Sequence, residues 1–309
     1  PDIQAALESW RAAEEKIPQA RAFPDPMLRY TLFGQSIETR LGPQRNKFSL
    51  AQTIPFFGKL PLQGKIASAQ SQMSGSRYRS VVADVMLGVK SLYFNLLRLD
   101  RTIALLEKEM DVIDILIRTS TAEYEAGKMG QHDVLRAHLE LTRLEDRMIG
   151  LRRSRRAAAS QLNALLNRPP DTGIPPIKFG HNVPGLGDRE GLLAMALSNR
   201  PEISLNENLI LMDRQKLDLS KKNFYPDFQV MVEYVDIGAG TTMDGRDGRD
   251  AWMASVGVTI PLWRRKLKAG RAEARTQLRS SERKLEGIQL KTEALVLELY
   301  DEISTAREQ

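Results

Sequence analysis

Residues 252–263 read Trp-Met-Ala-Ser-Val-Gly-Val-Thr-Ile-Pro-Leu-Trp. Up to Ile260 the stretch has period two: Trp252, Ala254, Val256, Val258 and Ile260 face one way, and Met253, Ser255, Gly257 and Thr259 the other. Strand side chains alternate between faces, so this is a strand with one apolar row, and Pro261, which has no N–H for a ladder, ends it. The span from Trp252 to Ile260 matches the ~9 to 11 residues of a tilted strand crossing a bilayer. Trp252 and Trp263 bracket it, as the aromatic girdles of a membrane barrel would.

Outward from this strand the same period recurs. In 228–234, Phe228, Val230, Val232 and Tyr234 oppose Gln229, Met231 and Glu233. Two noisier segments, about 27–35 and 47–54, put Leu28, Tyr30 and Leu32 on one face and Ser49, Ala51 and Thr53 on a polar one. The four segments pair as two hairpins, with turns expected at about 36–45 and 238–250. The two hairpins belong to two copies of one unit. Pro1-Asp2-Ile3 matches Pro201-Glu202-Ile203, Phe23-Pro24-Asp25 matches Tyr225-Pro226-Asp227, and Thr53-Ile54-Pro55-Phe56-Phe57 matches Thr259-Ile260-Pro261-Leu262-Trp263. The chain is therefore a tandem duplication in which each copy runs helix, hairpin, long helix.

The long helix is written in heptads. From Val82 the apolar residues recur at alternating spacings of three and four: Val82, Val85, Val89, Leu92, Leu96, Leu99, Ile103, Leu106, Met110, Ile113 and Ile117, with Ser120 and Tyr124 closing the series. That is a sustained coiled-coil seam, and the proline-free run from Leu62 to Tyr124 would make a rod of ~95 Å. Gly127 and Gly130 break it. A second series follows through Val134, Ala137, Leu141, Leu144, Met148, Leu151, Ala158, Leu162 and Leu165, with Arg155 the one polar intruder. Two long helices joined by a short turn form a helical hairpin. The Pro- and Gly-rich stretch after Arg168 reads as an irregular connection, a short helix is expected at about 188–198, and Glu202 is placed to reach back to the cap of the helix that Pro201 opens.

Composition fits long helices better than a globular core. The 309 residues are 42% hydrophobic and 27% charged, which excludes disorder, yet only 6% aromatic. No uninterrupted apolar run approaches the ~18 to 20 residues of a membrane-spanning helix, and the mean hydropathy is −0.35. Alternating strands escape such an average. Forty-five basic against 39 acidic residues, interspersed, give +6 and no default reading as a nucleic-acid groove. The absence of cysteine excludes a disulfide framework and thiolate ligands, and three histidines leave little for an imidazole site. His132 and His138 lie on different helix faces, so no metal pair is expected; nor is any cofactor, since there is no nucleophile–base pair and no phosphate-cradling glycine loop. Asp244-Gly245-Arg246-Asp247-Gly248-Arg249-Asp250 lacks the alternate ligand spacing and terminal Glu of a calcium loop and reads as an extracellular loop. Arg152, Arg153, Arg155 and Arg156 read as a solvated face or an intersubunit pairing surface.

Four strands cannot close a barrel, because the smallest useful closed barrels have about eight. Closure needs several copies. At this point the chain resembles the TolC family of outer-membrane efflux and secretion ducts, through the duplication, the four strands, the proline-marked transitions and the turn Tyr124-Glu125-Ala126-Gly127-Lys128-Met129-Gly130-Gln131-His132-Asp133-Val134-Leu135. Gln52-Thr53-Ile54-Pro55-Phe56-Phe57-Gly58-Lys59 is closest to the subgroup serving heavy-metal pumps of the resistance-nodulation-division type. The resemblance implies a mainly α fold with a β-barrel portion: a homotrimer sharing a twelve-stranded barrel, four strands per subunit, continued by a long coiled-coil helical barrel in the periplasm. It implies a passive, gated exit duct in the Gram-negative outer membrane, not an enzyme, whose tips meet a periplasmic adaptor protein linked to an inner-membrane pump. Many relatives carry a lipid-modified cysteine at the mature N-terminus, and none is visible here.

On this reading residues 1–23 are a periplasmic helix, 24–57 a barrel hairpin, 58–167 the helical hairpin, 168–198 an equatorial connection, 199–225 the second periplasmic helix, 226–262 the second barrel hairpin, and 263–309 a tunnel helix cut short. Sequence is expected beyond both ends, and the second helical tip, with the acidic entrance residues of the family, would lie past Gln309. The adaptor-docking tip is assigned to Tyr124, Gly127, Lys128, Met129, Gly130 and Asp133. The lipid-facing row is Phe228, Val230, Val232, Tyr234, Trp252, Val256, Val258 and Ile260, and the interface girdle is Phe56, Phe57 and Trp263. Two alternatives stay open: a soluble periplasmic coiled-coil adaptor or scaffold, to which heptads alone are equally suited, and a type I secretion duct.

Overall fold

The structure is a computed structural model that describes residues 1–40, 42–177, 185–240, 246 and 248–308. Its elements are α1 (Asp2–Glu14), α2 (Lys16–Arg21), β1 (Met27–Thr39), β2 (Gly42–Ile54), α3 (Lys59–Glu125), α4 (Gln131–Leu165), α5 (Arg189–Asn199), α6 (Pro201–Lys222), β3 (Asp227–Ile237), β4 (Ala251–Thr259) and α7 (Arg264–Glu308). The architecture is mainly helical with one antiparallel four-stranded sheet. The chain divides into two compact units, Pro1–Ile3 with Val81–Leu186, and Gln4–Ser80 with Gly187–Gln309.

The first unit is the hairpin of α3 and α4. Leu96, Leu99, Ala158 and Leu162 are buried together, flanked by Val89, Leu92 and Leu151, and Leu106 is buried with Leu144 and Met148, flanked by Ile103, Met110 and Ile113. These are heptad positions of both helices, and each fully buried leucine contributes about 1.5–3 kcal/mol. Arg155, at the one polar position of the α4 series, departs from the expected solvated or intersubunit role. It forms an ion pair with Asp100 of α3, and its Nη2 donates to the Ile174 carbonyl at 3.0 Å. Asn163, completely buried, donates to the Thr172 carbonyl at 2.7 Å, so the connection after α4 is tied back onto the hairpin.

α3 also contains an 18-residue stretch with a mean hydropathy of 1.4, apolar and long enough to cross a membrane by composition, although the sequence shows no uninterrupted run of that kind. The reason is a second apolar face: Met86, Leu87, Phe94, Leu105, Val112, Ile115 and Leu116 of α3 are exposed in the single chain, as are Leu135, Leu139 and Ile149 of α4.

In the second unit Trp10 of α1 stacks on Tyr78 of α3 at 5.9 Å between ring centroids. Helices α6 and α7 are joined by polar contacts: Ser281 Oγ donates to the buried Asp213 carboxylate at 2.5 Å, and Arg200 Nη1 to Thr292 Oγ1 at 2.8 Å. One local expectation changes. The single N-terminal helix is split at Glu15, because Pro18 lacks an N–H and its ring crowds the carbonyl of Glu14. The cap of α6 is Arg200, and Glu202, expected to reach back to the cap, does so by accepting from the Arg200 guanidinium at 3.2 Å.

The strands lie in the order β1-β2-β3-β4, each antiparallel to its neighbour. The first hairpin is tighter than the expected turn at 36–45. Pairing continues past an irregularity between Leu32 and Ile37 to Thr39↔Gly42, where Thr39 Oγ1 donates to the Gly42 carbonyl at 2.7 Å. Gly42-Pro43 has turn-forming residue types but serves as strand, and the Pro43 carbonyl accepts from Gly238 N–H at 2.8 Å. In the expected loop at 238–250, residues 241–245 and Asp247 lie outside the described residues, as do 178–184 of the connection.

Candidate functional site

Register decides what the sheet can do. Leu28 stands opposite Leu50, Leu50 opposite Val232, and Val232 opposite Ala254; one step along, Tyr30, Phe48, Tyr234 and Trp252 form a second cross-strand row. Because alternation is period two, every even-numbered residue in these rows shares one face. That face holds seven of the eight residues assigned to the lipid-facing row: Phe228, Val230, Val232, Tyr234, Trp252, Val256 and Val258. Ile260 lies one residue past the end of β4 and is exposed. The face also holds Leu28, Tyr30, Leu32, Phe48 and Leu50, all exposed. Phe48 and Leu50 escaped assignment because Gln52, whose Nε2 donates to the Pro24 carbonyl at 2.8 Å, interrupts their alternation.

The opposite face carries the polar side chains. Arg29, Thr31, Lys47, Ser49, Gln229 and Glu233 stand on it, interspersed with Met27, Met231 and Met253, and Lys47 Nζ is 2.6 Å from Glu233 Oε1. At one end of the apolar rows polarity returns: Tyr30 Oη donates to Asn46 Oδ1 and Asn46 Nδ2 to Asp236 Oδ2, both at 2.7 Å, and Tyr234 Oη donates to Asp250.

At the other end stand the residues assigned to the girdle. Phe56 stacks on Tyr225 with centroids 4.6 Å apart and meets Phe57 edge-on at 6.0 Å, while Phe57 and Trp263 are each 78% exposed. Lys222 Nζ lies 5.7 Å from both the Phe56 and Tyr225 ring centroids, within cation–π reach. Asp227, at the start of β3, locks this corner by accepting from Lys59 Nζ and from Phe56 N–H, each at 2.7 Å. Sequence reading did not find this pair: its motif residues are visible, but their separation along the chain carries no sign of pairing.

The assigned tip residues gather in the turn between α3 and α4. Gly127 N–H bonds the Tyr124 carbonyl and Lys128 N–H the Glu123 carbonyl, both at 2.9 Å, which is the Schellman way of closing a helix. Gly127 has φ +73°, a left-handed conformation that only glycine adopts without strain. Gly130 differs. It caps α4 with φ −83°, and an added Cβ would meet nothing closer than His132 Nδ1 at 3.5 Å, an ordinary contact. Its missing side chain is therefore not a local requirement. Asp133 stands in the first turn of α4, where a carboxylate suits the positive helix end, with Oδ1 3.1 Å from His132 Nε2. Tyr124, Lys128 and Gly130 are exposed and Met129 half-buried. Among the described residues no cluster of three or more His, Cys, Asp or Glu suits a metal ion.

The geometry has parallels in known proteins. Residues 1–168 match the family described as outer membrane efflux protein. The cobalt-zinc-cadmium resistance protein CzcC of Cupriavidus metallidurans is 24% identical over 274 residues, covering 84% of this chain and 59% of that protein. The chain thus spans less than two thirds of the length of this curated relative. Among solved structures, the outer-membrane channel OprN superposes with a TM-score of 0.80 at 16% identity, over 99% of this chain and 72% of that one. The outer membrane protein VceC of Vibrio cholerae gives 0.78 at 16% identity, over 99% and 76%. At these identities the two structures establish a shared fold.

Proposed function

The chain belongs to the outer membrane efflux protein family, and on that premise we propose that it is the passive exit duct of a tripartite efflux system, assembled from three copies in the Gram-negative outer membrane. The observation that carries the reading is the sheet: a continuous exposed apolar face, a polar face behind it, and two unpaired edges, β1 and β4. Every residue of β4 is exposed in the single chain. In a bilayer an open edge leaves backbone N–H and C=O groups without partners, each at a cost of several kcal/mol.

The topology supplies its own remedy. Three successive antiparallel pairings leave β1 and β4 running in opposite directions, so β4 of one copy can pair with β1 of the next. Two copies would give eight strands, an interior of about the size that side chains fill; three give twelve, a wider interior than side chains fill. The apolar row then meets lipid, and Arg29, Lys47, Ser49 and Glu233 line the lumen. The exposed apolar residues of α3 and α4 favour neighbours along the helices as well. On this reading the tip residues Tyr124, Gly127, Lys128, Met129, Gly130 and Asp133 dock a periplasmic adaptor protein, which links the duct to an inner-membrane pump of the resistance-nodulation-division type. Its action is gating of a tunnel, without catalysis or cofactor, and the likeness to CzcC favours divalent metal ions as cargo. Reconstitution into a planar bilayer tests the duct: stepwise ionic conductance supports it, and a protein that stays monomeric and soluble without detergent contradicts it.

A further inference from the structure

We propose that the passage from β4 into α7 is a binding surface for the phosphate headgroups of anionic phospholipids, a reading that rests on the sheet being a membrane barrel. Directly after Trp263 the chain carries Arg264, Arg265, Lys266 and Lys268. All four are exposed, and none has a carboxylate partner among the described residues, although ion pairs are common elsewhere in the chain. They also sit where a helix disfavours them, at the positive end of its dipole. Helices α1, α4, α5 and α6 obey the usual preference, with Asp2, Asp133, Glu190 and Glu202 in their first turns. α7 has no acid in its first turn. The starts of α2 and α3 also lack one, but Glu15 stands at the cap of α2, and at α3 Lys59 receives the Asp227 carboxylate from β3. For the four cations of α7 the described residues supply no such anion.

Their position says where the anion comes from. Ile260, Leu262 and Trp263, immediately before them, are 67%, 71% and 78% exposed, so the basic run begins where a lipid-facing apolar edge ends. Aromatic and apolar residues at a membrane boundary place the following residues at headgroup level, where phosphates are concentrated. At about 100° per residue the four side chains spread over about 200° of the helix circumference, so a basic group faces the bilayer over a wide range of orientations of α7. Lys222, held over the Phe56 and Tyr225 rings, adds a cation beside the same aromatic corner. A phosphodiester between acyl chains and water satisfies both halves of this surface; a free phosphate ion satisfies only the charged half.

Native mass spectrometry of the detergent-solubilised full chain tests this with mixed micelles of phosphatidylglycerol or phosphatidylcholine, and with glycerol 3-phosphate as a headgroup without chains. The wild type should retain phosphatidylglycerol about tenfold better than phosphatidylcholine, and glycerol 3-phosphate should not compete. Replacing all four residues by glutamine should bring the two lipids level, while Arg264→Lys, Arg265→Lys, Lys266→Arg and Lys268→Arg together, which keep the charge, should preserve the preference. Equal retention by the wild type, an unchanged preference in the glutamine variant, loss of preference in the charge-keeping variant, or competition by glycerol 3-phosphate would overturn the proposal and leave the barrel standing. A wild type that retains neither lipid would overturn it as well, the barrel being tested separately by planar-bilayer conductance.

Discussion

Arg155 of α4 and Asp100 of α3 are joined side chain to side chain across the helical seam, at the one position where the α4 heptad is not apolar. Asp100 also accepts from Ile177 N–H at 2.9 Å, so one carboxylate holds the seam and the following connection together. Burial opposes ionisation of this carboxyl, but the hydrogen bonds from Arg155 and from Ile177 outweigh it and hold its pKa below the ordinary value. Arg155→Leu should restore the heptad yet leave the partly buried Asp100 charged and without its cation, costing about 1–3 kcal/mol. Arg155→Leu with Asp100→Leu should recover most of that loss in thermal unfolding.

The same carboxyl gives a pH dependence. A folded-state pKa depressed below the unfolded value of about 3.9 means stability that is fully present above that value and lost as pH falls through the folded pKa. The melting temperature should therefore fall on acidification below about pH 4. Asp100→Asn should flatten that part of the profile, and an identical acid profile in the variant would remove Asp100 from the account.

The tip glycines should separate stability from docking. Gly127→Ala forces an L-residue into a left-handed conformation and should cost about 1–2 kcal/mol. Gly130→Ala should cost no more than about 1 kcal/mol, the penalty of alanine at an N-cap, because its backbone is extended and the added methyl meets no clash. If the tip docks an adaptor, Gly130→Ala should still weaken adaptor binding measured by surface plasmon resonance. Full binding by this variant would argue against docking there.

The two faces of the sheet should respond oppositely to charge. Val232, between Leu50 and Ala254 on the apolar face, should cost about 2–4 kcal/mol when changed to Arg. Its neighbour Met231→Arg, on the polar face, should fold into vesicles almost as the wild type does. Urea titration of vesicle-bound protein reads the difference, and equal costs would mean the faces are assigned the wrong way round.

How legible the molecule is in its sequence depends on how far each signal reaches. The α3–α4 seam is readable because every heptad restates it, and the lipid-facing row of β3 and β4 because nothing interrupts its alternation. In β2 a single residue, Gln52, hides the row that Phe48 and Leu50 complete, and Gly42-Pro43 mimics a turn while serving as strand. Pairings such as Arg155 with Asp100, or Lys59 with Asp227, join residues far apart in the chain and have no periodicity to betray them. Both glycines of the tip are visible in the sequence, but only φ distinguishes the one the backbone needs from the one it does not.

The central claim is that β4 of one copy pairs with β1 of the next until three copies close. The chain has no cysteine, so an introduced pair is the sole source of disulfides. Within one copy β1 and β4 are separated by β2 and β3, a distance of about 14 Å at ordinary strand spacing, which no disulfide spans. With Thr31→Cys fixed in β1 and single cysteines stepped along β4 from Trp252 to Val258, oxidation in the membrane should give a covalent species of three chains at matching positions. A panel that yields only single chains, or that stops at two, would contradict the account.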